Sequence, residues 1–219
     1  TPSTSPAGHV RENFVSGSIG NGLDNYSHYV ILQIQSPDLT LPTSVSSASF
    51  SNDSGLRNYD FVTNIAAQTV RGELLDNVIA GWRVDVSLDN GAHWSTATTS
   101  IGSNAWSLAG QTLTGSNILQ VKVHDTVSGS DGMVFYKSYS YDVSALAPTL
   151  ALASDTGSSN LDSITNNATV NISGLEFSAS CQYQVDGGAW VDTVGSSFSL
   201  SPGTHSYSVR QTDLAGNTS

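Results

Sequence analysis

Aspartates in turn-like segments are the residues of this sequence with the clearest potential for chemistry. Six of them are candidates for metal ligands: Asp53, Asp60, Asp142, Asp155, Asp162 and Asp213. Asp155 and Asp162 repeat Asp53 and Asp60 at a distance of 102 residues. Carboxylates are ligands for Ca²⁺, which takes about six to eight oxygens. Aspartate also serves turns, because it caps them and accepts unusual φ values. The six acids therefore predict either calcium sites or structural turns.

Other chemistries find less support in the residue patterns. The sequence has no Gly-x-Ser-x-Gly nucleophile motif, no phosphate-binding loop and no histidine pair at zinc-ligand spacing. The one cysteine, Cys181, cannot form an intrachain disulfide, and its place before an alternating strand predicts a small buried side chain. A catalytic pair of carboxylates flanking a sugar stays open. Because the acids lie in duplicated turns, we expect structure rather than catalysis, and no enzyme.

Four tryptophans offer the flat apolar surface on which sugars stack. Trp94 and Trp190 each follow a turn at corresponding places, which favours a packing role. Trp82 and Trp106 occur only in the first half of the chain and are the better candidates for a ligand-binding platform. Burial in a core is the alternative for both, and the favoured one.

The charge balance restricts the partners. Among 219 residues, 18 are Asp or Glu and 7 are Lys or Arg, giving a formal net charge of −11. Nucleic acids and anionic membranes require basic patches, so neither is expected as a partner. No run of about 18 apolar residues occurs, and we expect no membrane insertion. The acidic balance is compatible with divalent cations and equally with a role in solubility alone.

An internal repeat positions these residues. The segment around Asp53 recurs around Asp155, and Val70–Gly72 matches Ile172–Gly174 at the same distance. The distance then shrinks along the chain, which places the deletions in loops. Segments such as Trp82–Leu88 alternate between apolar and polar residues, as strands with one buried face do. Gly72 interrupts the only helix-like stretch, 66–78, and argues for a strand with a bulge or a close backbone approach.

The repeat divides the chain into three parts. Residues 42–146 form the longer copy and residues 147–219 a shorter one. Residues 1–41 match neither copy, and Tyr29–Ile34 within them reads as the last strand of a preceding module. The joint around Pro148 is short, which predicts a restrained hinge. The alternating segments and turns of both copies predict an all-β fold class.

Several matches in fixed order carry a family resemblance. In the second copy they are Asp155–Gly157, Asp162–Asn166, the Asp186–Trp190 turn and Thr212–Asn217. The first copy carries Asp53–Gly55, Asp60–Asn64 and Ser87–Trp94 but departs after Asp125. Over residues 42–219 the chain resembles the bacterial Ig-like repeats of large RTX-type and biofilm-associated surface adhesins.

The resemblance implies tandem immunoglobulin-like β-sandwiches that form an extracellular rod at the bacterial cell surface. It also implies export by a type I system and stiffening by calcium at module junctions. In an Ig-like sandwich the loop after the first strand and the end of the last strand share one pole, so Asp53 and Asp60 should approach Asp142. The loop holding Asp213 lies at the opposite pole of the second module and should face that group. Asp155 and Asp162 should form the far end, facing a further module.

Three functions follow as hypotheses. The first is a structural extender of a cell-surface adhesin, whose partners are the neighbouring modules of the same chain. The second is a tip module that binds a glycan or a host or surface protein through Trp82 or Trp106 or through residues 1–41. The third is an accessory module of an extracellular polysaccharide-active enzyme.

Overall fold

The described residues are 41–219 of a computed structural model, and their regular secondary structure consists of β-strands. The predicted strand Tyr29–Ile34 lies outside the described residues. Within residues 41–219 there is no helix long and apolar enough to cross a membrane. The prediction of an all-β fold is confirmed.

The first sandwich contains nine strands: β1 (Val45–Phe50), β2 (Val62–Thr63), β3 (Ala67–Leu74), β4 (Trp82–Ser87), β5 (Ser95–Thr96), β6 (Thr98–Thr99), β7 (Ala105–Thr112), β8 (Asn117–Asp125) and β9 (Phe135–Tyr141). One sheet has the order β1-β3-β7-β6 and the other β2-β9-β8-β4-β5. Only β2 and β9 pair in parallel among these strands. The two sheets thus have the ABED and CFG arrangement of immunoglobulin-like sandwiches, with short additional edge strands.

Side chains from both sheets of the first sandwich form one core. The larger contributors are Phe50, Val70, Leu74 and Trp106 from one sheet and Val84, Val86, Leu119, Val121 and Tyr139 from the other. Aromatic packing joins the two layers, with Phe50 and Tyr139 in an edge-to-face arrangement at a centroid distance of 5.5 Å. The alternation in the strand sequences therefore places one face of each sheet in this core.

Strand β4 departs from simple alternation. Asp85 and Ser87 were expected on the solvent side, yet Asp85 is 4% exposed. The Arg83 guanidinium lies 3.0 Å from the Asp85 carboxylate, and the Thr96 hydroxyl donates a hydrogen bond to it at 2.9 Å. Arg83 and Thr96 thus supply the hydrogen bonds that a buried carboxylate needs.

The second sandwich contains six strands: β10 (Thr149–Leu152), β11 (Thr169–Ser173), β12 (Ser180–Val185), β13 (Val191–Asp192), β14 (Ser197–Ser199) and β15 (Tyr207–Thr212). Its sheets have the orders β10-β11-β14 and β13-β12-β15. Strands β10, β11, β12 and β15 correspond to β1, β3, β4 and β8 of the first sandwich. Among the described residues no strand corresponds to β9.

The turns behave as their residues predict. Asn90 and Asp186, in the matching turns after β4 and β12, have φ values of 57° and 48°. Asparagine, aspartate and glycine tolerate this left-handed region, so the same turn chemistry folds both hairpins. The single cysteine, Cys181, is buried in β12, as predicted.

A close backbone approach occurs at Gly72, as its place in β3 predicts. A Cβ atom on Gly72 would lie 1.9 Å from the Ser47 carbonyl oxygen and 2.6 Å from Cζ2 of Trp106. Gly115, by contrast, has no atom within 4 Å of the corresponding point. The indole of Trp106 therefore packs where a side chain at position 72 would be.

We expect Gly72→Ala to destabilise the first sandwich by about 1–3 kcal/mol, because β1 or Trp106 must shift to admit the methyl group. Gly115→Ala is the matched control and should change the free energy of unfolding by less than about 0.5 kcal/mol. Chemical denaturation of both variants measures the difference. Equal stability of the two variants would contradict the packing described.

Candidate functional site

The predicted aspartates after the first strand of each sandwich hold a tight turn. Asp53 accepts a hydrogen bond from the Phe61 amide at 3.0 Å, and Asp60 accepts one from the Val62 amide at 3.0 Å. The second copy repeats both contacts, from Ser163 to Asp155 and from Ile164 to Asp162, each at 3.0 Å. These four acids therefore serve the turns through side-chain-to-backbone hydrogen bonds.

One carboxylate oxygen in each turn has no partner. The Oδ1 atoms of Asp53 and Asp155 are both buried without a hydrogen bond. Burial raises the pKa of Asp53, the Phe61 amide lowers it, and the negative charge of Asp60 raises it again, with a net upward shift. An anionic oxygen without a partner is costly to bury, so protonation or a bound cation would stabilise this turn.

The same turn of the first sandwich contacts the second sandwich. The Ser54 hydroxyl donates to the Ala215 carbonyl oxygen at 2.8 Å, and the side-chain Nδ2 of Asn64 donates to Asn217 Oδ1 at 3.0 Å. Asn217 in turn donates to the Asp142 carbonyl oxygen at 2.9 Å. The loop containing Asp213 and Asn217 thus meets the pole that carries Asp53, Asp60 and Asp142, which is the arrangement expected from the topology.

The backbones at this contact approach closely. A Cβ atom on Gly55 would lie 1.9 Å from the Leu214 carbonyl oxygen, and one on Gly216 would lie 3.1 Å from the Gly55 Cα atom. Gly55 has a φ of 90°, and its repeat counterpart Gly157 has a φ of 111° but no heavy atom closer than 3.9 Å. The two glycines share their turn conformation, but only Gly55 has the backbone of the second sandwich packed against it.

The linker between the sandwiches is bound to the second one. The Leu146 amide donates to Glu176 Oε1 at 2.6 Å, and the fully buried Gln211 donates to the Leu146 carbonyl oxygen at 2.7 Å. Gln211 also accepts a hydrogen bond from the Glu176 amide at 2.8 Å. Both backbone groups of Leu146 are therefore satisfied by the second sandwich, as a restrained joint requires.

Three carboxylates meet at the junction. Asp142, Glu176 and Asp213 each place an oxygen within 4.8 Å of the others. Asp213 is 3% exposed and accepts hydrogen bonds from the Asn217 amide and side chain at 2.9 and 2.8 Å. No Lys, Arg or His among residues 41–219 forms an ion pair with these three acids. Within the described part of the chain, the cluster therefore concentrates negative charge that no basic side chain pairs with.

The structure brings together two of the six predicted acids and adds one that was missed. Asp142 and Asp213 share the cluster, whereas Asp53 and Asp60 remain in the adjoining turn. Asp155 and Asp162 lie in the corresponding turn of the second sandwich, away from this junction. Glu176 was missed, because it lies where the two copies differ in loop length and the repeat gives it no counterpart.

The tryptophans fall into two groups. Trp106 is 2% exposed and belongs to the core, and Trp82 is half-buried against that core. The ring faces of Trp106 are therefore covered by protein. Trp94 and Trp190 instead receive cations at matching places, Lys122 at 4.6 Å and Arg210 at 4.2 Å from the ring centroids. The two cation–π contacts indicate that Trp94 and Trp190 pack against the outer face of their sheets.

Comparison with protein-family models and with curated proteins gave no match for this chain. The site is therefore interpreted on its own geometry.

We expect Gly55→Ala to loosen the junction and Gly157→Ala to leave it unchanged. Both variants introduce the same strain at a positive φ, of about 1 kcal/mol or more, but only position 55 faces a second backbone. Small-angle scattering should show a broader distribution of particle dimensions for Gly55→Ala alone. Identical scattering of both variants and the wild type would contradict the close contact.

The raised pKa of Asp53 predicts a pH dependence. The folded state holds the proton more tightly than the unfolded chain, so its stability should increase as pH falls toward the pKa of Asp53. Asp53→Asn keeps an oxygen that can accept from the Phe61 amide but removes the charge. In metal-free buffer, wild type should therefore gain stability relative to Asp53→Asn between pH 7 and pH 4.5. Denaturation at the two pH values measures this, and a relative loss would contradict the assignment.

Proposed function

We propose that this chain is a non-catalytic, structural extender fragment of a bacterial cell-surface adhesin, supporting adhesion and biofilm formation from an extracellular location. The junction is the observation that carries the proposal. Side chains of one sandwich hydrogen-bond the backbone of the next, and the backbones meet without room for a Cβ atom at Gly55. A rod built from such units keeps its modules aligned and transmits force along its length.

Calcium is the ion we propose for the junction. Asp142, Glu176 and Asp213 fit a hard cation, because they supply only oxygen ligands and their negative charge has no basic partner within residues 41–219. The ligands come from the end of the first sandwich and from two loops of the second. A shared cation would offset their mutual repulsion and link the two modules.

A second set of positions is proposed in the turns after the first strands, Asp53 with Asp60 and Asp155 with Asp162. Asp53 and Asp155 each present a buried oxygen without a hydrogen bond, and the charge of Asp60 acts on Asp53. The repetition of this unsatisfied oxygen in both copies supports a cation role there in addition to the turn role.

Calcium should raise the melting temperature of the wild-type chain, and EDTA should reverse the change. Glu176→Gln retains an oxygen that accepts from the Leu146 amide but removes a charged ligand, and we expect it to weaken calcium binding at least about tenfold. Calorimetric titration measures the affinity, with Asp192→Asn on exposed strand β13 as the control.

The outcome separates the two parts of the proposal. If calcium changes neither the melting temperature nor the scattering profile, the metal assignment fails. If the scattering profile shows freely moving modules even in calcium, the extender assignment fails as well.

A further inference from the structure

The turn that receives the second sandwich at the junction is built in the same way in both copies. In the first sandwich, the Ser54 hydroxyl oxygen accepts a hydrogen bond from the Asn64 amide at 2.8 Å and lies 2.9 Å from Asn64 Oδ1. In the second, the Thr156 hydroxyl oxygen accepts from the Asn166 amide at 2.9 Å and lies 2.9 Å from Asn166 Oδ1. The turn alone therefore does not distinguish the two sandwiches.

The loop that contacts this turn is Asp213–Asn217, and it does so through the side chain of Asn217. A side-chain amide has two N–H donors and an acceptor oxygen. Asn217 donates to Asp213 Oδ2 at 2.8 Å within its own loop and to the Asp142 carbonyl oxygen at 2.9 Å in the first sandwich. Its Oδ1 accepts from Asn64 Nδ2 at 3.0 Å. Asn217 thus connects the loop to two segments of the first sandwich.

Small residues let the backbone of the same loop approach the turn. Ala215 is 1% exposed, and its carbonyl oxygen accepts from the Ser54 hydroxyl at 2.8 Å. Gly216 has a φ of 93°, and a Cβ atom on it would lie 3.1 Å from the Gly55 Cα atom. Larger side chains at positions 215 and 216 would therefore push the turn and the loop apart.

The corresponding loop of the first sandwich has a different length. It closes with a hydrogen bond from the Asp125 amide to the Ser130 carbonyl oxygen at 2.9 Å, whereas the Asp213 amide donates to the Asn217 carbonyl oxygen at 3.0 Å. The loop of the first sandwich is therefore one residue longer. Its sequence, Asp-Thr-Val-Ser-Gly-Ser, contains no asparagine.

The hydrogen bonds of this longer loop stay within the first sandwich. The Thr126 amide and hydroxyl both donate to the Gly81 carbonyl oxygen at 2.8 Å. The Asp125 carboxylate accepts from the Val127 amide at 2.8 Å and from the Ser128 hydroxyl at 2.7 Å. The carboxylate is thus used inside the loop, and no asparagine side chain is oriented toward a neighbouring sandwich.

We propose that the loop Asp213–Asn217 determines which sandwich fits the pole formed by Ser54, Gly55 and Asn64. The partner that this pole selects is a sandwich whose loop reads Asp-x-Ala-Gly-Asn. The inference rests on the extender role proposed above, because it names the module that the junction accepts. It depends neither on calcium nor on adhesion.

The loop Asp125–Ser130 does not fit this pole. Its valine and serine would meet the Gly55 backbone in place of Ala215 and Gly216, and the Asn64 side chain would lose its acceptor. Close contacts and unpaired polar groups of this kind are the means by which an interface rejects a related partner. The first sandwich therefore cannot take the place of the second at the junction.

Exchange of the two loops tests the proposal in the full 219-residue chain. NMR relaxation of the backbone amides should give one rotational correlation time for both sandwiches of the wild type. Replacement of residues 214–217 by the sequence of residues 126–130 should abolish this shared value and shorten the correlation time of the second sandwich. The reciprocal replacement, of residues 126–130 by the sequence of 214–217, is the control and should leave the shared value unchanged.

A point variant gives a second measurement that leaves the loop intact. Asn64→Asp keeps an acceptor oxygen beside the Ser54 hydroxyl but replaces the N–H donor that faces Asn217 with an oxygen. It should also abolish the shared correlation time, whereas Asn166→Asp, the same change in the turn of the second sandwich, should not.

The outcomes separate this inference from the extender proposal. A wild-type junction that is fixed and stays fixed in both the 214–217 replacement and Asn64→Asp would overturn the loop assignment alone. Independent correlation times for the two sandwiches of the wild type would contradict the extender proposal and the loop assignment with it.

Discussion

The contact between two turns, Ser54–Gly55 of the first sandwich and Leu214–Gly216 of the second, determines how the two sandwiches meet. Its backbones approach so closely that Gly55 leaves no space for a side chain, and its hydrogen bonds use Ser54, Asn64 and Asn217. Because these groups are short and tied to the backbone, they define a direction as well as a distance. The linker adds a second attachment, because both backbone groups of Leu146 form hydrogen bonds with the second sandwich.

The stability of this junction depends on how its three carboxylates are neutralised. The contact assembles Asp142, Glu176 and Asp213 from separate segments, and their charges repel one another unless a cation or a proton is bound. The hydrogen bonds of the junction therefore act against a repulsion between carboxylates, which a bound cation or proton removes. Such a joint would be firm where divalent cations are abundant and looser where they are not, which suits the extracellular role proposed.

The features that could be predicted depend on short stretches of sequence, several of which occur in both copies of the repeat. Alternating strands, turns at Asn90 and Asp186, the close approach at Gly72 and the facing loops at the junction follow from short patterns and the order of strands. Glu176 could not be predicted, because its role depends on how a loop of variable length packs against the linker. The burial of Asp85 was missed for a similar reason, since Arg83 and Thr96 cover it through tertiary contacts.

Residual dipolar couplings of the two sandwiches test the central claim, a fixed junction between aligned modules, most directly. In calcium, couplings from β1–β9 and from β10–β15 should fit one alignment tensor with the orientation seen in the structure. Removal of calcium should make the two tensors diverge in magnitude as the junction loosens. Two unequal tensors in the presence of calcium would contradict the account, because they would show that the sandwiches reorient independently despite the contacts at Gly55 and Asn217.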